Sequence, residues 1–286
     1  MSSQRSATSE PRVLLDGLAY VESPRWYDGR LWFAHWGTDE IVAVDLDGNS
    51  QVGAHGPGGL GWSIDWLPDG RLLVTGEGLQ RVESDGSLAP HADLTQLAGD
   101  WNELVVDGRG NTYANGRLFG PAENEPPGII ALVTPDGGVR QVGDGLAFPN
   151  GMAVTPDNGT LIVAESFAER LTAYDIAGDG SLSRRRVWAA TPGDHPDGIC
   201  IDADGAVWYA DVGNSHCVRV REGGEVLATL DVDRGAFACM LGGPDGKTLF
   251  ILAAEWRGFE RTEEAIADRT GRVLVADAPA PAAGWP

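Results

Sequence analysis

Two short stretches place oxygen-bearing side chains at matching points of the chain. In FPNGMAVTPDNG, Asn150 stands seven residues before Asp157; in HPDGICIDADG, Asp197 stands seven residues before Asp204. Glu22, in ESPRWYDG, stands six residues before Asp28 and so lies outside the turn that follows it. An Asn-Gly or Asp-Gly pair alone signals only a turn. Recurrence at one distance ahead of separate turns is what sets these residues apart. Brought together, a carboxamide and two carboxylates would suit a hard divalent cation. Without a cation or protons to neutralise them, the carboxylates would repel one another.

Whether they converge depends on the elements that carry them. Each stretch runs through an apolar segment, a turn rich in Pro, Asp, Asn and Gly, and a second apolar segment, which is strand, turn, strand. The same unit returns with turn aspartates at 28, 69, 107, 157, 204 and 245. A second set of turns falls between them, at Asp47-Gly48, Asp85-Gly86, Asp136-Gly137, Asp179-Gly180 and Glu222-Gly223. Two hairpins in every period of roughly 40–50 residues means four strands per repeat. The expected fold is all-β, a six-bladed β-propeller with four-stranded blades around a central metal-holding channel.

In such a ring the first strand of each blade lines the channel, so its opening residues form a circle. These are Glu22, Ser63, Asn102, Asn150, Asp197 and Cys239. Four of them offer carboxylate or carboxamide oxygen suited to a hard cation and none is histidine, which favours a divalent cation of the oxygen-loving kind. Ca²⁺ ranks first, Mg²⁺ and Mn²⁺ follow, and Zn²⁺ or Fe²⁺ are less well matched.

Residues 1–11 read as a flexible segment, 12–275 as the single propeller domain and 276–286 as a loose Ala/Pro-rich tail. Arg12–Leu15 and Gly271–Val275 are expected to share the sixth blade and close the ring. The connections 122–128 and 256–270 are the longest irregular ones and are candidate lids or binding loops. A net charge of −21 argues against nucleic acid or an anionic membrane as partner. Three cysteines without CxxC spacing give no disulfide framework. No apolar h-region opens the chain and no stretch is long enough to span a bilayer, so a cytoplasmic protein is expected.

The motifs ESPRW (Glu22 to Trp26), FPNGMAVTPD (Phe148 to Asp157) and HPDGICIDADG (His195 to Gly205) together resemble those of the senescence marker protein/gluconolactonase family, which includes regucalcin. The resemblance runs from about Leu15 to Val275. It implies a six-bladed propeller with one divalent cation held by Glu22, Asn150 and Asp197, and Asn102 beside the metal as a substrate or water contact. The family commonly carries an arginine two residues before an Asn-Asp pair. Here Asp100 stands in that place and Glu103 replaces the aspartate. With no cation there to grip a sugar acid, and with Trp36, Trp62, Trp101 and Trp256 near the expected mouth, a less polar lactone or ester is indicated. Trp36, Trp101, Asn102 and Glu103 are the candidate substrate contacts.

The implied chemistry is metal-dependent hydrolysis of a small-molecule lactone or ester. Asp197 is the expected general base and Glu103 the reserve. There is no GxSxG elbow and no dinucleotide fingerprint followed by a helix to compete with it. Two other classes remain. One is a non-catalytic Ca²⁺-binding regulatory protein. The other is a non-hydrolytic reaction on the same scaffold, as in strictosidine synthase-like propellers.

Overall fold

The computed structural model describes residues 9–117 and 127–286. Six antiparallel four-stranded sheets make up the described chain. Their first strands are Val21–Tyr27, Ile64–Trp66, Asp100–Val106, Pro149–Val154, Pro196–Ile201 and Gly235–Gly242. Each contacts the first strand of the next blade, and the last contacts the first, so the six line one central channel. The expected six-bladed propeller is observed.

Ring closure follows the expected route. Arg12–Leu18 is the outermost strand of the sixth blade, with Arg12 opposite Val275 and Val13 opposite Leu274. Because the two ends of the chain complete one sheet, the edge of that blade is covered by the N-terminal strand rather than left open.

The blades cohere through apolar layers between neighbours. Leu73, Leu79 and Leu104 pack between the second and third blades, Tyr113, Leu132 and Met152 between the third and fourth, and Ile162, Ile199 and Tyr209 between the fourth and fifth. Burying side chains of this size contributes about 1.5–3 kcal/mol each. Trp26 stacks on Phe250 and Tyr27 on Trp66, centroids 5.3 and 4.4 Å apart, joining the first blade to both its neighbours. Cys200, Cys217 and Cys239 are free thiols buried in the layer between the fifth and sixth blades.

The terminal segment departs from expectation. The last strand runs to Asp277, and the residues beyond it are tied to three blades rather than loose. Ala278 N bonds to Lys247 O, Ala283 N to Ile201 O, and Val154 and Trp285 exchange two main-chain bonds. Backbone pairing needs no particular side chain, so an Ala/Pro-rich composition conceals it. At the other end, residues 1–8 lie outside the described residues, while Ser9 Oγ accepts a bond from Asp277 N. Of the two long connections, residues 122–126 also lie outside them. The other contains a short helix, Thr262–Asp268, that packs Ala265 against Tyr20 and Phe237. No helix among the described residues is long and apolar enough to cross a membrane.

Candidate active site in the central channel

The first strands of five blades share a local irregularity. An extra residue interrupts pairing between Glu22 and Arg25, Trp101 and Leu104, Pro149 and Met152, Pro196 and Ile199, and Ala236 and Ala238. The candidate residues Asn102, Glu103, Asn150 and Asp197 all fall inside these bulges, and Glu22 borders the one in its own blade. A bulge re-aims side chains that regular alternation would send to opposite faces. The Asn-Gly and Asp-Gly pairs are therefore not turns. Gly151 and Gly198 let adjacent strands approach: a Cβ on Gly151 would lie 2.6 Å from Asp197 O, and one on Gly198 would lie 2.4 Å from Ala238 Cβ.

Hydrogen bonds join the first blade to the second and so on to the sixth around the channel. Ser23 Oγ accepts from Ile64 N at 2.9 Å, and Ser63 Oγ accepts from Leu104 N at 2.9 Å. Asn115, fully buried, accepts from Glu103 N and donates to Asn150 O at 2.6 Å. Ser166 Oγ donates to Pro196 O at 2.8 Å, and Asn150 Nδ2 reaches that same Oγ at 3.5 Å. Cys239 Sγ contacts Gly198 O at 3.6 Å. These bonds hold the bulges in register.

Glu22, Glu103 and Asp197 form one electrostatic group. Desolvation, with the nearby charge of Glu103 next, pushes the Glu22 carboxyl up to about 8. Desolvation also raises Asp197 well above the usual carboxylate range, reinforced by Glu22, Glu103 and Asp211, while a hydrogen bond from Asn150 opposes the shift. Glu103 is raised by burial and partly held down by Arg25. Glu22 is 4% exposed and Glu103 5%, whereas Asp197, Asn150 and Asn102 keep some access to solvent. Among the described residues neither Glu22 nor Asp197 has an ion-pair partner. Two carboxylates and a carboxamide brought together without an ion pair of their own, Arg25 acting on Glu22 only through its charge, fit a divalent cation.

Other expectations need correction. Trp101 is 3% exposed and packs with Leu67, Leu94 and Leu104, so its ring belongs to the core and not to an open mouth. Trp36 is half-buried, donates to Trp62 O at 2.7 Å and packs against Tyr20 and Phe237 as well as the wall between the first two blades. Cys239 does not open its strand: it pairs with Ile251 in mid-strand, and Phe237 occupies the bulge instead.

One residue inside the channel was not anticipated from the sequence. Arg25 is 5% exposed inside the channel, its Nε 3.5 Å from Asp65 Oδ1 and its Nη2 3.7 Å from Glu103 Oε2. Asp100 is not without a cation: Arg117, its partner on the next strand, stands 3.1 Å away. Two aromatic groups stand close in sequence to candidate ligands. Phe148, two residues before Asn150, stacks on exposed Phe167 at 4.5 Å. Tyr20, two residues before Glu22, lies 5.4 Å from Phe237, which is 6.1 Å from Trp256.

A further acidic cluster, Asp194, Asp211 and His216, sits in the fifth blade. Its oxygens are already engaged. Asp194 accepts from Tyr209 Oη and Asn214 Nδ2 and meets His216 Nε2, while Asp211 accepts from His195 N and Asn214 N. That arrangement is self-satisfied, unlike the Glu22–Asp197 pair.

A family model described as SMP-30/Gluconolactonase/LRE-like region matches residues 20–255. The chain is 30% identical over 202 residues to diisopropyl-fluorophosphatase of Loligo vulgaris, covering 62% of this chain and 64% of that one. It is 28% identical to regucalcin of Xenopus laevis over 55% and 56% of the two chains. With 6-deoxy-6-sulfogluconolactonase of Pseudomonas putida it shares 26% over 70% and 69%. The first two alignments therefore span less than two thirds of those relatives. Among solved structures, a luciferin-regenerating enzyme superposes with TM-score 0.81 at 18% identity, covering 96% of this chain and 98% of the other. A calcium-binding regucalcin from Agrobacterium tumefaciens superposes with TM-score 0.78 at 21%, covering 96% and 94%. At such identities these superpositions speak for the fold alone. The match over residues 20–255 makes the chain a member of the SMP-30/gluconolactonase/LRE-like family.

Proposed function

We propose that the protein is a divalent-metal-dependent hydrolase that opens a lactone or carboxylic ester less polar than a sugar lactone. The observation that carries this reading is the pair Glu22 and Asp197. They are desolvated, mutually repelling and joined by Asn150 in the central channel. Lactonases and a fluorophosphatase among the relatives support the hydrolytic class.

In this reading Glu22, Asn150 and Asp197 hold the cation, with Ca²⁺ the favoured ion. When bound, the cation supplies a Lewis acid that polarises the substrate carbonyl. Asp197, which keeps partial access to solvent beside the cation, takes the proton of the attacking water; its bond to the cation limits its basicity, so Glu103 is the reserve. Asn102 contacts substrate or water beside the ring, and Glu103 backs Asp197 electrostatically. Exposed Phe167, stacked on Phe148, and exposed Trp256 are the rings that would favour an aryl or alkyl substituent on the substrate.

Proton release in weakly buffered dye tests the proposal. A panel running from sugar lactones to aliphatic and aryl-substituted lactones is offered to chelator-stripped protein, then again after single cations are restored. Metal-restored hydrolysis with preference for the less polar rings is expected. Cation binding without release from any substrate would favour a binding protein instead.

A further inference from the structure

The channel holds one cationic side chain that the chemistry above does not use. Arg25 follows the bulge of its strand by the length of one residue, and that extra residue is what brings it inward with Glu22. By simple alternation, positions 22 and 25 would face opposite sides of the sheet. Its guanidinium is fixed by two carbonyls, Pro24 O at 2.8 Å and Leu104 O at 2.6 Å, the latter two blades away. From there it reaches Asp65 and Glu103 at once.

The two carboxylates depend on it unequally. Asp65 also accepts main-chain bonds from Trp66 N and Val106 N, both 2.8 Å. For the carboxylate of Glu103, Arg25 is the ion-pair partner among the described residues, while Glu22 and Asp197 repel it. Freed from Arg25, Glu103 would be a third acidic oxygen donor beside a ring built from Glu22, Asn150 and Asp197.

We propose that Arg25 is a positioning residue that sets the charge of the metal centre. Its ion pair holds Glu103 back from the cation, so that Glu22 and Asp197 balance the cation's charge. The proposal rests on the reading that a divalent cation occupies this ring. It goes further in assigning cation affinity to a residue that is not itself a ligand. A cation gripped by fewer carboxylates is a stronger Lewis acid, so the pair favours turnover over tight binding.

Calorimetric titration of chelator-stripped protein with Ca²⁺ tests this on four variants. Arg25→Met exposes the full charge of Glu103 and is expected to tighten Ca²⁺ binding about tenfold or more, while lactone turnover falls. Glu103→Gln removes one of the two carboxylates that face the guanidinium, leaving Asp65 alone, and is expected to weaken binding to a similar degree. The double variant removes both charges and is expected within about threefold of the wild type, as is Arg25→Lys. A purely structural peg would give the opposite sign, since loosening the strands weakens binding in Arg25→Met. Unchanged or weaker binding by that variant overturns the proposal. Should it not fold, unaltered affinity in Glu103→Gln does the same. If the double variant binds as weakly as Glu103→Gln alone, Glu103 is a ligand and Arg25 has no such role. Failure of the wild type itself to bind any divalent cation defeats the metal reading as well. Binding and hydrolysis by the wild type with unmoved affinities defeats only the role of Arg25.

Discussion

The α-carbon of Gly151 lies against the main chain of Asp197, so close that a β-carbon would stand 2.6 Å from both Asp197 O and Ile199 N. The residue after one candidate ligand thus packs on the backbone of another, and the spacing of the two depends on a missing side chain. Gly151→Ala must push the strands apart. A loss of about 1–3 kcal/mol is expected, together with weaker cation binding. Gly178→Ala, with no atom within 4 Å of the added carbon, is the matched control. Denaturant melts and calcium titrations check the pair, and equal behaviour of both variants would refute the role of the close approach.

The raised carboxyls make the metal-free protein sensitive to alkali. Glu22 shifts from 4.5 to about 8 in the fold, and Asp197 shifts in the same direction. Across that interval the folded state binds more protons than the unfolded chain, so stability falls as pH rises from about 5 through 8. In chelator, the melting temperature should drop between pH 6 and 9, at about 2–4 °C for each kcal/mol lost. Saturating Ca²⁺ should abolish the drop, because the cation replaces the protons. A chelated protein equally stable at pH 6 and pH 9 would contradict this.

Much of the architecture was legible because turns obey local chemistry. Six turn aspartates and the second set between them announced four strands per repeat, and the end strands pair as their patterns suggested. Asn150 and Asp197 could be picked out because their blades use the same bulge at the same distance from the turn. Arg25 could not, since alternation counts it to the outer face and only the register shift after Glu22 turns it inward. Cys239 was misplaced for a related reason. The sixth blade has an apolar bulge at Phe237, so no polar residue marks its opening. Trp101 illustrates another limit: a tryptophan at a strand end reads the same whether it faces the mouth or the layer between blades, and here it packs in the layer.

Asp197→Asn separates chemistry from folding. It keeps the shape of the side chain and removes a charge that Glu22 and Glu103 oppose. Turnover should fall by about 10²–10⁴, while the chelated protein at pH 8 melts at the same temperature as wild type or higher. Lactone assays beside thermal melts give both values. Full activity in this variant would overturn its role as base.

The aromatic rim should appear in substrate preference. Phe167 is 49% exposed and stacks on Phe148, so its removal should spare the fold. Phe167→Ala is expected to lower kcat/KM for aryl-substituted lactones by about 2- to 10-fold and to leave small aliphatic ones unaffected. Equal losses on both substrate types would place the specificity elsewhere.

The most direct test of the metal centre is an anomalous difference map from crystals grown with Mn²⁺, collected at a wavelength where manganese scatters anomalously. One strong peak within coordination distance of Glu22, Asn150 and Asp197 is the predicted result. A channel without a peak, or a peak lodged instead among Asp194, Asp211 and His216, would contradict it.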